Sequence, residues 1–232
     1  MAQVYFEDLK LVDYKEAWDH QESLFNTIIE KKKKYHPSDP SSKNEKNYLL
    51  FCEHPHVYTL GINGVANNML INDDFLKTIN ATYYKINRGG DITYHGPGQI
   101  VGYPIFDLDI FKLGIKDYIH HLEQAIIDTL SDYGVESSRL DGATGVWLDV
   151  NGGNTRKICA IGVRASRYTT MHGFAFNVNT DLNYFNFINP CGFVDKGVTS
   201  LEKELGGKQD FEEVKSKVLL HLERIFGFQL AE

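Results

Sequence analysis

The residues of this chain whose types and spacing suit covalent chemistry are a thiol and an amine. Cys191 stands in the turn sequence Asn189-Pro190-Cys191-Gly192, and Lys157 in Arg156-Lys157-Ile158-Cys159-Ala160-Ile161-Gly162. A free cysteine with a pKa of about 8.5 is only a few per cent thiolate at neutral pH, so it needs a cation or base beside it to act as a nucleophile. An ammonium about 4 Å from a thiolate gains about 4 kcal/mol at an effective dielectric of about 20, against about 1.36 kcal/mol per pKa unit, so a drop of a unit or two survives desolvation. A lysine with a lowered pKa can also pass a proton to a departing thiol and later take one from an attacking amine. The pairing points to covalent acyl chemistry.

The chain has two further thiols, Cys52 and Cys159. Cys52 ends the apolar run Tyr48 to Cys52 and reads as a buried structural residue. Cys159 is a rival nucleophile: if residues 157 to 163 form a strand, alternate side chains share a face, and Lys157 and Cys159 lie on one side with Cα atoms roughly 6.5 Å apart. Cys191 is favoured because Pro190 and Gly192 hold it on a turn, where a thiol is accessible.

A second segment of unusual composition, Arg88-Gly89-Gly90-Asp91-Ile92-Thr93-Tyr94-His95-Gly96-Pro97-Gly98-Gln99, packs four glycines and one proline into twelve residues. Glycine lets main-chain N–H groups approach a ligand closely, and Arg88 and His95 add polar anchors. It is not a phosphate loop, since no Gly-Lys-Ser or Gly-Lys-Thr follows and the next element reads as a strand. His54 and His56 flank Pro55 without a third ligand at suitable spacing, so no metal site is expected. His120, His121 and His221 fall on helical patterns and receive no role.

These residues must be positioned by a scaffold of 232 residues, 42% hydrophobic and 12% aromatic, which suits one domain over 1–232 with a substantial core. Strand patterns are expected at 3–9, 48–52, 57–60, 83–87, 99–106, 144–149, 157–165 and 172–179. Helical periodicity follows Asp13 and Glu16 through Trp18, Phe25, Ile28 and Ile29, recurs at 116–133, and closes the chain after Asp210 and Glu213. Lys31 to Lys34 read as a solvated helix end suited to the C-terminal dipole, and residues 36–44 as a polar surface loop. Three strands at 144–179 without helices between them favour an α+β fold with a largely antiparallel or mixed sheet flanked by helices. A net charge of −7 argues against a general nucleic-acid binder. Three scattered cysteines argue for reduced thiols, and the lack of an eighteen-residue apolar run or a leader pattern implies no membrane association and a cytoplasmic protein.

Four blocks in order resemble the octanoyltransferases of lipoate biosynthesis, relatives of the lipoate and biotin protein ligases: Glu53 to Gly61, Arg88 to Gln99, Lys157 to Gly162 with His172 to Asn177, and Asn189 to Gly192. The resemblance implies a lipoate/biotin protein ligase-like fold and a dyad of Cys191, the acyl-thioester nucleophile, and Lys157, its activator. It places substrate contacts on Arg88, Gly89, Gly90, Asp91, Ile92, Thr93, Tyr94 and His95, on Ala160, Ile161 and Gly162, and on Gly173, Phe174 and Ala175, with His95 and His172 near the carbonyl. It implies transfer of octanoyl from octanoyl-acyl carrier protein to a lysine of lipoyl domains, in 2-oxoacid dehydrogenase E2 subunits and the glycine cleavage H protein, with no cofactor. Alternatives are an ATP-dependent lipoate ligase of the same fold, which would not need Cys191, and a non-catalytic module that binds lipoyl domains or acyl groups. Both partners tend to be acidic, so Arg88, Arg156, Arg164 and Arg167 are candidate docking contacts.

Overall fold

A computed structural model of the chain describes residues 2–34, 46–189 and 196–231. The expected polar loop at 36–44 and Cys191 lie outside the described residues. The chain opens with β1 (Ala2–Leu11) and α1 (Tyr14–Lys34), whose start is set by Asp13: its carboxylate accepts from the backbone N–H groups of Lys15 and Glu16 at 2.8 and 3.4 Å. Next come β2 (Asn47–Glu53), β3 (Val57–Leu60), α2 (Asp73–Thr78), β4 (Thr82–Lys85), β5 (Ile92–His95) and β6 (Gln99–Ile105). Then follow α3 (Leu108–Phe111), α4 (Ile115–Ser131), β7 (Ser138–Leu140), β8 (Ala143–Leu148), β9 (Arg156–Ser166) and β10 (Thr169–Asn177). The chain closes with β11 (Gly197–Val198), α5 (Leu201–Leu205), α6 (Phe211–Phe226) and β12 (Phe228–Leu230).

The large sheet has the order β12-β1-β2-β6-β10-β9-β8-β7, with β11 beside β9. β1 pairs parallel with both β12 and β2, β11 pairs parallel with β9, and the other pairings are antiparallel, which is the mixed α+β arrangement expected. α1 covers one face, burying Ala17, Phe25 and Ile28 with Leu50, Val101 and Ile105. α4 and α6 cover the other, where Leu122, Ile126, Val218 and Leu222 meet Leu49, Phe51, Phe174 and Phe176. Because helices cover both faces, β2 reads in the sequence as a continuous apolar run.

A second sheet, β4-β3-β5, has no counterpart in the expected organisation. Its β5 lies inside the glycine-rich segment, which is therefore in part strand: Ile92, Thr93, Tyr94 and His95 pair with Leu60, Thr59, Tyr58 and Val57. β-branched and aromatic residues favour the extended chain there, while Gly89-Gly90 and Gly96-Pro97-Gly98 end it on either side. The lysine run also departs from expectation. The Lys32 side chain is 16% exposed and its Nζ pairs with Asp107 and, at 2.7 Å, with Asp109, tying the end of α1 to the start of α3.

Small residues set how closely β10 lies against its neighbours. A Cβ at Gly173 would stand 2.1 Å from the Gly102 carbonyl oxygen and 2.7 Å from Pro104 Cδ, so backbone would have to move. Gly227 ends α6 in a left-handed conformation (φ +65°) with open space around it. Gly173→Ala is predicted to cost about 3 kcal/mol or more, and Gly227→Ala only about 1–2 kcal/mol of left-handed strain. Denaturant unfolding of the two variants checks that order.

Glu204 on α5 accepts from Arg156 Nε at 2.7 Å and Nη2 at 2.6 Å, and also from the Thr199 hydroxyl, so it clamps the start of β9 to the residues after β11. The Arg156 hydrogen bonds hold its carboxyl below the ordinary 4.5. A carboxylate depressed in the fold contributes its full stabilisation above its unfolded value and loses it as pH falls through the folded one. Glu204→Gln is predicted to cost about 1 kcal/mol at pH 7, the pair being partly screened by solvent. The penalty shrinks below pH 4.5, as urea titrations at both pH values would show.

Candidate active site

Between the large sheet and the second sheet lies a cavity of about 500 Å³, within the ~300–1,000 Å³ usual for small-ligand sites. Its floor is made of small residues on adjacent strands: Ala160 pairs with Ala175, and Gly162 with Gly173. A side chain at Gly162 would meet the Gly89 carbonyl oxygen at 2.9 Å and Arg88 Cδ at 3.2 Å, so the glycine makes room for the segment that roofs the cavity. Ile161, Val163 and Phe174 contribute to the wall as well.

The roof is held by Arg88. Its guanidinium is 7% exposed as a residue and donates through Nη2 to the Thr59 carbonyl at 2.7 Å and hydroxyl at 2.9 Å, and through Nη1 to Gly89 O at 3.0 Å. Arg88 is thus a cavity residue and does not form a surface contact, since burial denies it to a docking protein. Arg156, held by Glu204, is engaged elsewhere too. Gly89 N–H donates to Val163 O at 2.9 Å and stitches the second sheet to the first. The Asp91 carboxylate accepts from Ile92 N–H at 2.7 Å and Val65 N–H at 3.3 Å and from the Asn68 amide, fixing the rim.

Gly90, Ile92 and Thr93 line the cavity with these residues, as do His95, His172 and Lys157. Tyr94 does not, contrary to its expected place among the substrate contacts. Strand alternation turns it to the opposite face of β5, where its ring stacks on Tyr184 at 4.9 Å and its hydroxyl meets His56 Nδ1 at 2.7 Å.

Lys157 reaches the cavity because of a fault in strand register. Val146 pairs with Cys159 but Trp147 with Lys157, so one extra residue, Ile158, is accommodated on β9. The bulge breaks the alternation that would have put Lys157 and Cys159 on one face. Lys157 turns with Trp147, its Nζ 4.5 Å from the indole centroid, while Ile158 and Cys159 turn into the core with Val146 and Leu148. Gly145, at φ +125°, lets β8 lie close to the bulged strand: a Cβ there would stand 2.5 Å from the Cys159 carbonyl oxygen, while the Lys157 side chain passes at contact distance, its Cε 3.5 Å away. Val198 of β11 pairs with Lys157 and also lines the cavity.

The two described thiols are sealed. Cys159 is 0% exposed and burial pushes its thiol far above the ordinary range, only partly offset by Lys157; Cys52 is buried and displaced in the same direction. Three histidines near the cavity are held neutral. Burial lowers His54 to about 4, and burial, with neighbouring charges, lowers His95 and His172 to about 3. Both ring nitrogens of His54 are engaged, Nδ1 with Val12 O at 2.8 Å and Nε2 with the Tyr103 hydroxyl at 2.7 Å. His172 sits in the left-handed region (φ +59°) within a strand, its N–H donating to the buried Gln21 at 3.0 Å and its Nε2 lying 2.8 Å from Asn87 Oδ1. Such strain in a bulky residue persists only where its surroundings enforce it.

Sequence reading missed Tyr14, Trp147, Gln21 and Asn87 at this site. Trp147 and Gly145 carry a signal in hindsight, an aromatic and a glycine one strand before a lysine. Tyr14, Gln21 and Asn87 carry none, since only tertiary packing of α1 and the residues after β4 brings them to β10.

The lipoyl protein ligase A/B catalytic domain family model matches residues 13–223 of the chain. A protein of Christiangramia forsetii named octanoyltransferase is 57% identical over 224 residues, 96% of this chain and 95% of its own length. Octanoyltransferases of Flavobacterium johnsoniae, 55% identical over 98% of both chains, and of Bacteroides fragilis, 54% identical over 91% of this chain and 92% of theirs, are similar too. Among solved structures, a bipartite lipoate protein ligase of Thermoplasma acidophilum, studied with its E2 lipoyl domain, superposes with a TM-score of 0.71 at 16% identity, covering 100% of this chain and 87% of that one. A lipoate-protein ligase A bound with ATP gives 0.61 at 15% identity, covering 100% and 87%, which speaks to fold alone. By matched span and by near relatives, the chain belongs to the lipoyl protein ligase A/B catalytic domain family and is an acyltransferase.

Proposed function

We propose that this chain transfers an octanoyl group from octanoyl-acyl carrier protein to the ε-amine of a specific lysine on lipoyl domains, the first step of endogenous protein lipoylation. The observation that carries the reading is Lys157, turned by the β9 bulge into a cavity floored by alanine and glycine, in a chain more than half identical to named octanoyltransferases. Cys191 is the nucleophile. Two supports point to it: Cys52 and Cys159 are sealed in the core, and Asn189, two residues before Cys191, is tied by its N–H to the carbonyl of Asn68 at 2.8 Å, whose side chain Asp91 holds at the cavity rim.

In the first half-reaction the Cys191 thiolate attacks the thioester carbonyl of the donor. The bond from acyl carbon to the carrier's sulfur breaks, and Lys157 supplies the proton that leaves with the carrier thiol. In the second, the acceptor amine attacks the octanoyl-enzyme, its proton passes to Lys157, and the bond to Cys191 Sγ breaks. Thioester exchange is close to thermoneutral and amide formation runs downhill, so no ATP and no other cofactor enters. The slot over Ala160, Gly162, Gly173 and Ala175 accommodates the acyl chain because no side chain longer than a methyl projects from its floor. The acceptors are lipoyl domains of 2-oxoacid dehydrogenase E2 subunits and the glycine cleavage H protein, the whole chain serves as one catalytic domain, and it works in the cytoplasm. Among the described residues no helix is long and apolar enough to cross a membrane.

Incubation with octanoyl-acyl carrier protein, without ATP, is predicted to add one octanoyl mass to the intact protein, mapped to Cys191 and absent in Cys191→Ser. Lys157→Ala should slow formation of that adduct by about 10²-fold or more, while Cys159→Ala should leave it intact. Failure of any adduct to form, with octanoylated lipoyl domain appearing only when ATP and free octanoate are supplied, would establish the ligase alternative instead.

A further inference from the structure

Along the wall of the cavity runs a chain of side-chain hydrogen bonds whose direction is settled by its ends. The Thr199 carbonyl can only accept, so the Asn177 atom 3.0 Å from it is Nδ2, and Oδ1 faces Gln99. Gln99 must then present Nε2 to Asn177 Oδ1, at 2.8 Å. The Tyr94 carbonyl, 3.3 Å from the same nitrogen, independently requires that orientation. Gln99 Oε1 is left facing His95 Nδ1 at 2.9 Å, and an acceptor there demands that Nδ1 carry the proton. His95 Nε2 is therefore a bare lone pair. It faces Thr59 Oγ1 in a long contact of 3.5 Å, and that oxygen already accepts from Arg88 Nη2 at 2.9 Å, which leaves its own proton for His95. Arg88 only donates, so the far end agrees with the near one: every bond in the series points from Arg88 toward Thr199 O.

From this geometry we infer that Gln99 and Asn177 are positioning residues, which fix His95 as the neutral Nδ1–H tautomer and through it hold the Thr59 hydroxyl and Arg88 in place over the cavity. Aligned bonds of this kind reinforce one another in a buried setting. The series also joins the two sides of the site, because Thr199 N–H donates to Lys157 O at 2.9 Å. The groups that face His95 favour the neutral ring. The ring is buried beside Arg88, a fixed cation; His54, 5.9 Å away between ring centroids, and His172 are themselves neutral and supply no counter-charge, and Tyr14 stacks at 5.8 Å as an uncharged phenol. A proton on Nε2 would direct an N–H at an oxygen that already holds Arg88, and would set two cations side by side.

The consequence for the reaction rests on the cavity being the acyl-transfer site proposed above; the tautomer itself does not. The test is nitrogen-15 spectroscopy of histidine-labelled protein, with His95 assigned by its loss in His95→Asn. The expected result is one neutral Nδ1–H form that does not titrate between about pH 5 and 8. In Gln99→Glu an acceptor-only carboxylate beside Nδ1 should draw His95 into the imidazolium form within that range, and octanoyl transfer should fall about tenfold on the acid side of the new transition, the worth of one hydrogen bond to a charged group. An Nε2–H tautomer or an imidazolium at pH 7 in the unmodified protein would overturn the inference, whatever the variants do. So would a folded Gln99→Glu protein whose His95 signals are unaltered. Spectra as expected in a protein that fails to transfer octanoyl would leave the tautomer standing and count against the proposed function instead.

Discussion

One extra residue on β9 determines which chemistry this cavity can host. Without the slip that accommodates Ile158 opposite β8, strict alternation would place Lys157 and Cys159 on one face, and either the amine would be buried in the core or the thiol would stand in the cavity. With it, the amine lies over Trp147 at the head of a small-residue slot, and the thiol is enclosed among Val146, Leu148 and Ile158. Burying a lysine in that core would cost several kcal/mol unless it were paired, whereas burying a cysteine there is favourable. The bulge thus satisfies packing and function together.

The rest of the architecture holds that arrangement in place. Clamping of Arg156 by Glu204 fixes the start of β9 one residue before Lys157. Glycine at 162 and 173 lets the roof segment and β6 come closer than any side chain would permit, and the buried Arg88 ties that roof to β3. The positive charge of Arg88 also helps keep His95 and His172 neutral, so the cavity is apolar on its floor and uncharged at its histidines.

Much of this was legible in the sequence, and the parts that were not share a cause. Helices announced themselves through local signals: Asp13 and Asp210 do cap α1 and α6, and the expected strand runs fall within β2, β3 and β9 and overrun the ends of β6, β8 and β10 by one or two residues. Of the described residues to which the order of the motifs pointed, all but Tyr94 line the cavity. Lost from view was whatever depends on two strands at once. The β8 to β9 slip involves no residue of unusual type, so Lys157 and Cys159 seemed to share a face. β5 was hidden because glycines dominate its segment, which left Tyr94 counted as a site residue although pairing with β3 turns it away. Arg88, read as a surface charge available to an acidic partner, is buried because Thr59, twenty-nine positions earlier, offers it two oxygens.

Native-state alkylation tests the division of labour among the thiols most directly. With a limiting pulse of iodoacetamide on the folded protein, followed by peptide mass analysis, label should appear on Cys191, and Cys52 and Cys159 should react only after denaturant is added. Rapid labelling of Cys159 in the folded chain, with Cys191 inert, would contradict the account.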